Sequence, residues 1–248
     1  MELGRVRPEM TMLFCTDSAI CRGRNSLAAE FLAGDGSHLL YLDHDVGGWR
    51  ARDVQAMMAS ELDVVGGIYP IKSKDERYAA NLAIQNGKVE TRTLADARFA
   101  RALDLPTGFL LIRRHVLEAM RDRCKEIRYR ATADETRAVS GNDRWNFFEM
   151  GIDPNSGLYL SEDFLFCRRW QRLGGTCWAA LDPKLTHAGV HVWEGDFVAY
   201  SEKRGVTFVE TEGDARVEGS AAVGLTRQQR RLLERQRQDP MAVVRSGK

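Results

Sequence analysis

The chain has 248 residues, 44% hydrophobic and 29% charged, which is enough apolar content for one sizeable core or two small ones and excludes a disordered or low-complexity protein. With 36 Lys and Arg against 35 Asp and Glu the formal charge is +1, so no whole-chain field draws it to nucleic acid or to an acidic membrane, although Arg168-Arg169 and Arg230-Arg231 could act locally. The cysteines, Cys15, Cys21, Cys124, Cys167 and Cys177, are odd in number and never spaced Cys-x-x-Cys, which argues against a disulfide scaffold or structural zinc and for a reducing cytoplasm.

The opening Met1 to Pro8 has no apolar stretch of the kind that forms a signal peptide, and no run approaches the ~20 residues that span a bilayer, so no transmembrane segment is expected. Thr11 to Cys15 reads as a short strand. Asp17-Ser18 then opens a helix in which Leu27, Ala28, Phe31 and Leu32 recur at helical spacing, and Gly34 and Gly36 end it. Leu39-Leu40-Tyr41-Leu42 is too short for anything but a buried strand, and it runs straight into Asp43-His44-Asp45. Two readings follow. Alternation along a strand would aim both carboxylates toward one face, as a divalent cation requires, whereas an Asp-rich turn followed by Gly47-Gly48 would merely cap the strand.

A helix is expected over Ala51 to Leu62 and a second apolar strand from Val64 to Tyr69, which Pro70 terminates. Residues 79–102 read as polar hairpins or loops, Gly108 to Ile112 as a strand, and His115 to Cys124 as a helix. Alternating strand and helix signals predict an α/β domain. Arg128 to Asn155 is polar apart from Trp145, Phe147 and Phe148; it reads either as a substrate-facing excursion or as a surface loop whose aromatics pin it to the core. From about Gly213 onward the composition predicts a polar, flexible tail.

Two further clusters carry candidate chemistry. In Leu160-Ser161-Glu162-Asp163, followed by Phe166, Trp170 and Leu173 at helical spacing, Ser161 suits an N-cap and the acids complement the positive helix end. Alternatively, one of the acids is a general base aimed into a cleft. In Leu185-Thr186-His187-Ala188-Gly189, His187 ends a strand-like run; His187 and His191 have the spacing of a helical zinc pair, but Gly189 and the alternation of Val190-His191-Val192-Trp193 argue for strand or loop. Carboxylates with one imidazole suit Mn²⁺ or Mg²⁺ better than zinc. A calcium loop starting at Asp43 fails because its twelfth position is Val54.

The order of these clusters, Asp-x-Asp, then Glu-Asp at a helix start, then His-x-Gly, resembles the GT-A fold glycosyltransferases of bacteria and large DNA viruses. Arg22-Gly23-Arg24-Asn25, Gly66-Gly67-Ile68-Tyr69-Pro70, Thr107-Gly108-Phe109 and Arg168-Arg169-Trp170 support the likeness, which runs from about Asp17 to Asp196. It implies a GT-A-like, Rossmann-like mixed sheet flanked by helices in a single domain spanning residues 1–212. It also implies transfer of a sugar from a nucleoside-diphosphate sugar to a hydroxyl of a glycan or other acceptor. On this likeness Asp43 and Asp45 hold the donor ribose and a Mn²⁺ or Mg²⁺ ion, His187 completes the metal site, and Arg24, Asn25 and Lys72 contact the donor. Asp163 acts as the base of an inverting transfer, with Glu162 orienting acceptor or helix. Relatives of this type usually start with a further strand and helix, which places the beginning of this sequence after their first nucleotide-binding edge. A catalytically silent nucleotide- or sugar-binding module, and a metal-dependent nucleotidyltransferase or hydrolase, are the alternatives.

Overall fold

In the computed structural model the residues described are 9–15, 17–131 and 143–211. In chain order they form α1 (Ile20–Ala33), β1 (His38–Leu42), β2 (Val46–Gly47), α2 (Ala51–Ala59), β3 (Val64–Gly67), β4 (Asn81–Leu82), β5 (Ile84–Gln85), β6 (Lys88–Leu94), β7 (Ala97–Asp104), β8 (Phe109–Arg113) and α3 (Arg114–Arg123). After one 3₁₀ turn come β9 (Arg128–Arg130), β10 (Asp143–Trp145), β11 (Gly151–Ile152), β12 (Tyr159–Leu160), α4 (Glu162–Arg172), β13 (Cys177–Ala180), β14 (Thr186–Ala188), β15 (Val192–Glu194), α5 (Phe197–Lys203) and β16 (Thr207–Glu210).

The main sheet runs β1-β8-β3-β13-β7-β6-β16, with β4 and β5 pairing alongside β7 and β6. It is mixed: β13 lies parallel to β3 and β16 parallel to β6, while the other neighbours along this path are antiparallel. Period-two alternation divides its side chains between two layers. Val64, Leu110, Ile112, Cys177 and Ala179 face a core shared with α1, α3 and α4, and Val65, Phe109, Leu111, Trp178 and Ala180 face a second core with Met57 of α2. Because both faces are covered, β3 and β13 are buried along their whole length, and neither carries a polar residue. The described residues are thus a single α/β domain built on one large mixed sheet flanked by helices.

Most expected elements stand within a few residues of their predicted bounds. Thr11 to Cys15 does not: it forms no strand, and Met10, Met12 and Phe14 are exposed. Residues 79–102 take the hairpin alternative: β5 with β6, and β6 with β7, pair antiparallel and supply much of the sheet's far half. Phe147 and Phe148 are fully buried, and Phe148 stacks on Phe166 of α4, so these aromatics pin their segment to the core. The expected polar tail lies outside the described residues. Among those described, no helix is long and apolar enough to cross a membrane.

Candidate active site

β1 ends at Leu42, one residue before the first acid, and the Val46 amide donates to the Asp43 carbonyl at 3.1 Å to close a turn. The backbone therefore follows the Asp-rich turn rather than a prolonged strand. Even so, Asp43 and Asp45 are half-buried while His44 between them is exposed. The two carboxylates part company in their side-chain partners.

Asp43 Oδ2 accepts from Arg24 Nη2 at 3.1 Å, and Nη1 of the same guanidinium donates to Glu162 Oε1 at 2.6 Å. Arg24, on α1, is only 6% exposed and Glu162 only 9%. Burying a guanidinium is costly without paired acceptors, and the two carboxylates, one from the turn after β1 and one from α4, supply them. The Arg24 carbonyl accepts from Tyr41 Oη at 2.7 Å, which ties α1 to β1 a second time. Arg24 Nε and Thr107 Oγ1 are among the buried side-chain polar atoms with no hydrogen-bond partner among the described residues.

In the turn just before β8, the neighbour of β1, the Gly108 carbonyl accepts from the Asp43 amide at 2.9 Å and its own amide donates to Tyr69 Oη at 3.0 Å. A Cβ on Gly108 would lie 2.5 Å from Tyr69 Oη and 3.0 Å from Asp43 Oδ2, so glycine here is what lets the tyrosine and the aspartate meet. Burial, followed by the charge of Asp43, pushes the Tyr69 phenol well above its ordinary value, and Asp163 adds to the effect. Tyr69 is therefore a neutral hydroxyl within electrostatic reach of both acids.

Asp45 turns the other way. Its Oδ2 accepts from Lys72 Nζ at 2.6 Å and lies 3.4 Å from His187 Nε2. His187 arrives there because β14 pairs with β2, with His187 opposite Val46. Its Nδ1 sits 3.0 Å from the Pro70 carbonyl and its ring packs edge-on against Tyr69. Burial alone would raise the Asp45 carboxyl, but the Lys72 hydrogen bond and the nearby His187 hold it below the usual range.

At the start of α4, Ser161 makes no cap to the backbone; its hydroxyl donates instead to the Asp163 carboxylate, which also accepts from the Phe164 amide at 2.9 Å. Burial still pushes Asp163 above its ordinary value despite the Ser161 hydroxyl, and the neighbouring charge of Glu162 pushes the same way. Of the two acids, Glu162 is committed to Arg24, and Asp163 is the one with raised basicity.

The sequence-predicted residues thus gather at one end of the sheet, in two linked groups. Asp43, Arg24 and Glu162 form one, with Asp163 near it; Asp45, Lys72 and His187 form the other. Asn25 stands apart: it is 2% exposed, and its amide bonds to Asn146 Oδ1 and to both the carbonyl and the amide of Phe148, so it holds the 146–148 segment on α1. Asp43 does not join Asp45 and His187, and no group of three His, Cys, Asp or Glu side chains able to hold a metal is found among the described residues. Sequence reading did not find the Pro70 carbonyl or the joint role of Arg24, since neither a backbone acceptor nor a bridge across 138 positions leaves a local pattern.

No protein-family profile matches the chain, and no curated protein matches it. Among solved structures, the crystal structure of A197 from STIV aligns over 83% of each chain with 16% identity and a TM-score of 0.41, a likeness too distant to bear on fold class or function.

Proposed function

We propose that the protein is a GT-A-type glycosyltransferase that moves a sugar from a nucleoside-diphosphate donor to an acceptor hydroxyl, with inversion, in a metal-dependent reaction. The observation that carries this reading is the meeting of the Asp43–Asp45 turn, the acidic start of α4 and His187 at one end of the sheet, bridged by Arg24 and by the Asp45–His187 contact. The donor set suits Mn²⁺ or Mg²⁺: Asp45 and His187 are two adjacent ligands of the right chemistry, and a hard cation of this kind takes its remaining positions from phosphate and water. When bound, such an ion offsets the negative charge that grows on the departing diphosphate.

Each side chain then has a task it can perform in place. Asp163, with its carboxyl raised, accepts the proton of the attacking hydroxyl. Arg24 keeps Glu162 and Asp43 fixed relative to one another, so Asp43 presents an ordered acceptor to the donor ribose. Tyr69, neutral and buried, shapes the wall between the carboxylates. Lys72, beside Asp45, would supply an ammonium to the donor phosphates.

The reading is tested by thermal unfolding with Mn²⁺ plus UDP, GDP, CDP or dTDP in turn, beside Asp45→Ala. A metal-dependent rise in midpoint with one nucleotide, lost in the variant, is expected, together with release of that nucleoside diphosphate from its sugar conjugate. Pyrophosphate release would identify a nucleotidyltransferase instead, and binding without turnover a silent module. No shift with any pair would refute a donor site.

A further inference from the structure

Asp45 Oδ2 is approached by Lys72 Nζ at 2.6 Å and His187 Nε2 at 3.4 Å. The other ring nitrogen of His187 faces the Pro70 carbonyl at 3.0 Å, and a carbonyl can only accept, so Nδ1 carries a hydrogen. When the imidazole is neutral, its lone pair therefore lies on Nε2, the nitrogen that faces the carboxylate. Two electron-rich atoms held 3.4 Å apart form a cradle for positive charge, and the backbone acceptor behind the ring fixes it as a metal ligand's outer partner does. The positive charge beside that cradle is the Lys72 ammonium. It comes from an exposed bend after Pro70 on a flexible four-carbon stem, with its side chain 37% exposed, so it can leave by rotation of its own bonds.

We propose that Lys72 is an internal counter-cation that occupies Asp45 while the donor site is vacant and exchanges places when donor arrives. A dication and an ammonium on the same carboxylate oxygen repel each other strongly. A divalent ion alone must therefore displace Lys72 and leave it unpaired. A nucleoside diphosphate brings negative charge to which the ammonium can move, so ion and nucleotide bind together far better than either does singly. This rests on the donor-site reading above and adds a coupling device to it: Asp45 is guarded against adventitious cations until a diphosphate is present.

The experiment is Mn²⁺ titration followed by the paramagnetic signal of free Mn²⁺, with and without each of UDP, GDP, CDP and dTDP. It is run on the full chain and on Lys72→Met, Lys72→Arg and Asp45→Asn, whose folding is verified by circular dichroism. The expected result is a pair of opposite shifts. Lys72→Met binds Mn²⁺ alone about fivefold more tightly, the scale of one partly exposed ion pair removed, and binds the Mn²⁺–nucleotide pair about tenfold more weakly, the scale of a lost charge-assisted hydrogen bond. Lys72→Arg keeps the pattern of the natural chain. If Lys72→Met leaves both affinities unchanged, or weakens both, while Asp45→Asn still abolishes binding, the exchange is overturned and the donor site stands. If no chain binds Mn²⁺ or any nucleotide, both readings fall together.

Discussion

Asp163 carries its raised carboxyl at a helix start, where the positive helix end, the Ser161 hydroxyl and the Phe164 amide all favour ionisation. Burial outweighs them. A raised carboxyl means that the folded chain binds this proton more tightly than the unfolded chain does. Keeping Asp163 ionised therefore costs stability at neutral pH, and the cost is relieved as pH falls through the folded value toward the ordinary one near 3.8. Asp163→Asn is thus expected to raise the unfolding midpoint at pH 7. The gain should vanish below about pH 3.8. The same variant should lose about 10²- to 10⁴-fold in transfer rate if Asp163 is the base. Melting curves across pH and initial rates measure the two effects; a variant that is less stable at neutral pH would show that the carboxylate's hydrogen bonds, not its burial, set its energetics.

The elements around the site are joined by side chains whose partners lie far apart in sequence. Arg24 binds α1 to the β1 turn and to α4, while Asn25 on the same helix holds Phe148 through both backbone groups. Removing the guanidinium leaves Glu162 buried and unpaired, so Arg24→Met should cost about 3 kcal/mol, the lower end for a broken buried pair because Asp43 keeps some solvent. Adding Glu162→Gln should recover part of that loss. Denaturant unfolding of the two variants measures it, and equal stability of the single variant and the natural chain would mean that the bridge is not formed. This clamp also shows what sequence reading can reach. The strand runs, the α4 periodicity and the acids were legible because hydrophobic spacing and residue type are local signals. The turn at Asp43 was legible only as an alternative, since strand end and strand continuation share the same apolar run. The strands within residues 79–102 were legible only as one of two alternatives, hairpin or loop: β6 carries Lys88, Glu90, Thr91, Arg92 and Thr93, a polar composition that hides a strand in which only Lys88 and Thr93 are exposed.

At the scale of the whole molecule, stability and the site depend on different parts of the sheet, and this separation can be measured. β13 enters late in the chain between β3 and β7, and the same segment then carries the chain on to His187. Its Trp178 is 1% exposed in the core facing α2, and Arg92 and Arg101 cover its ring. Trp178→Ala should cost about 3–5 kcal/mol through the cavity it leaves, without touching any carboxylate of the site. Asp45→Ala removes a half-buried surface carboxylate and should cost far less, yet take away the ligand. Saturating Mn²⁺ and nucleotide at ~100 times the dissociation constant adds about 2.7 kcal/mol to any chain that keeps the site. The tryptophan variant should therefore regain most of its lost stability on adding ligand, and the aspartate variant none. Calorimetry of both, with and without ligand, gives the comparison. Equal ligand response in the two would place the nucleotide away from Asp45, and failure of the tryptophan variant to respond while still folded would mean that the sheet centre and the site do not move independently.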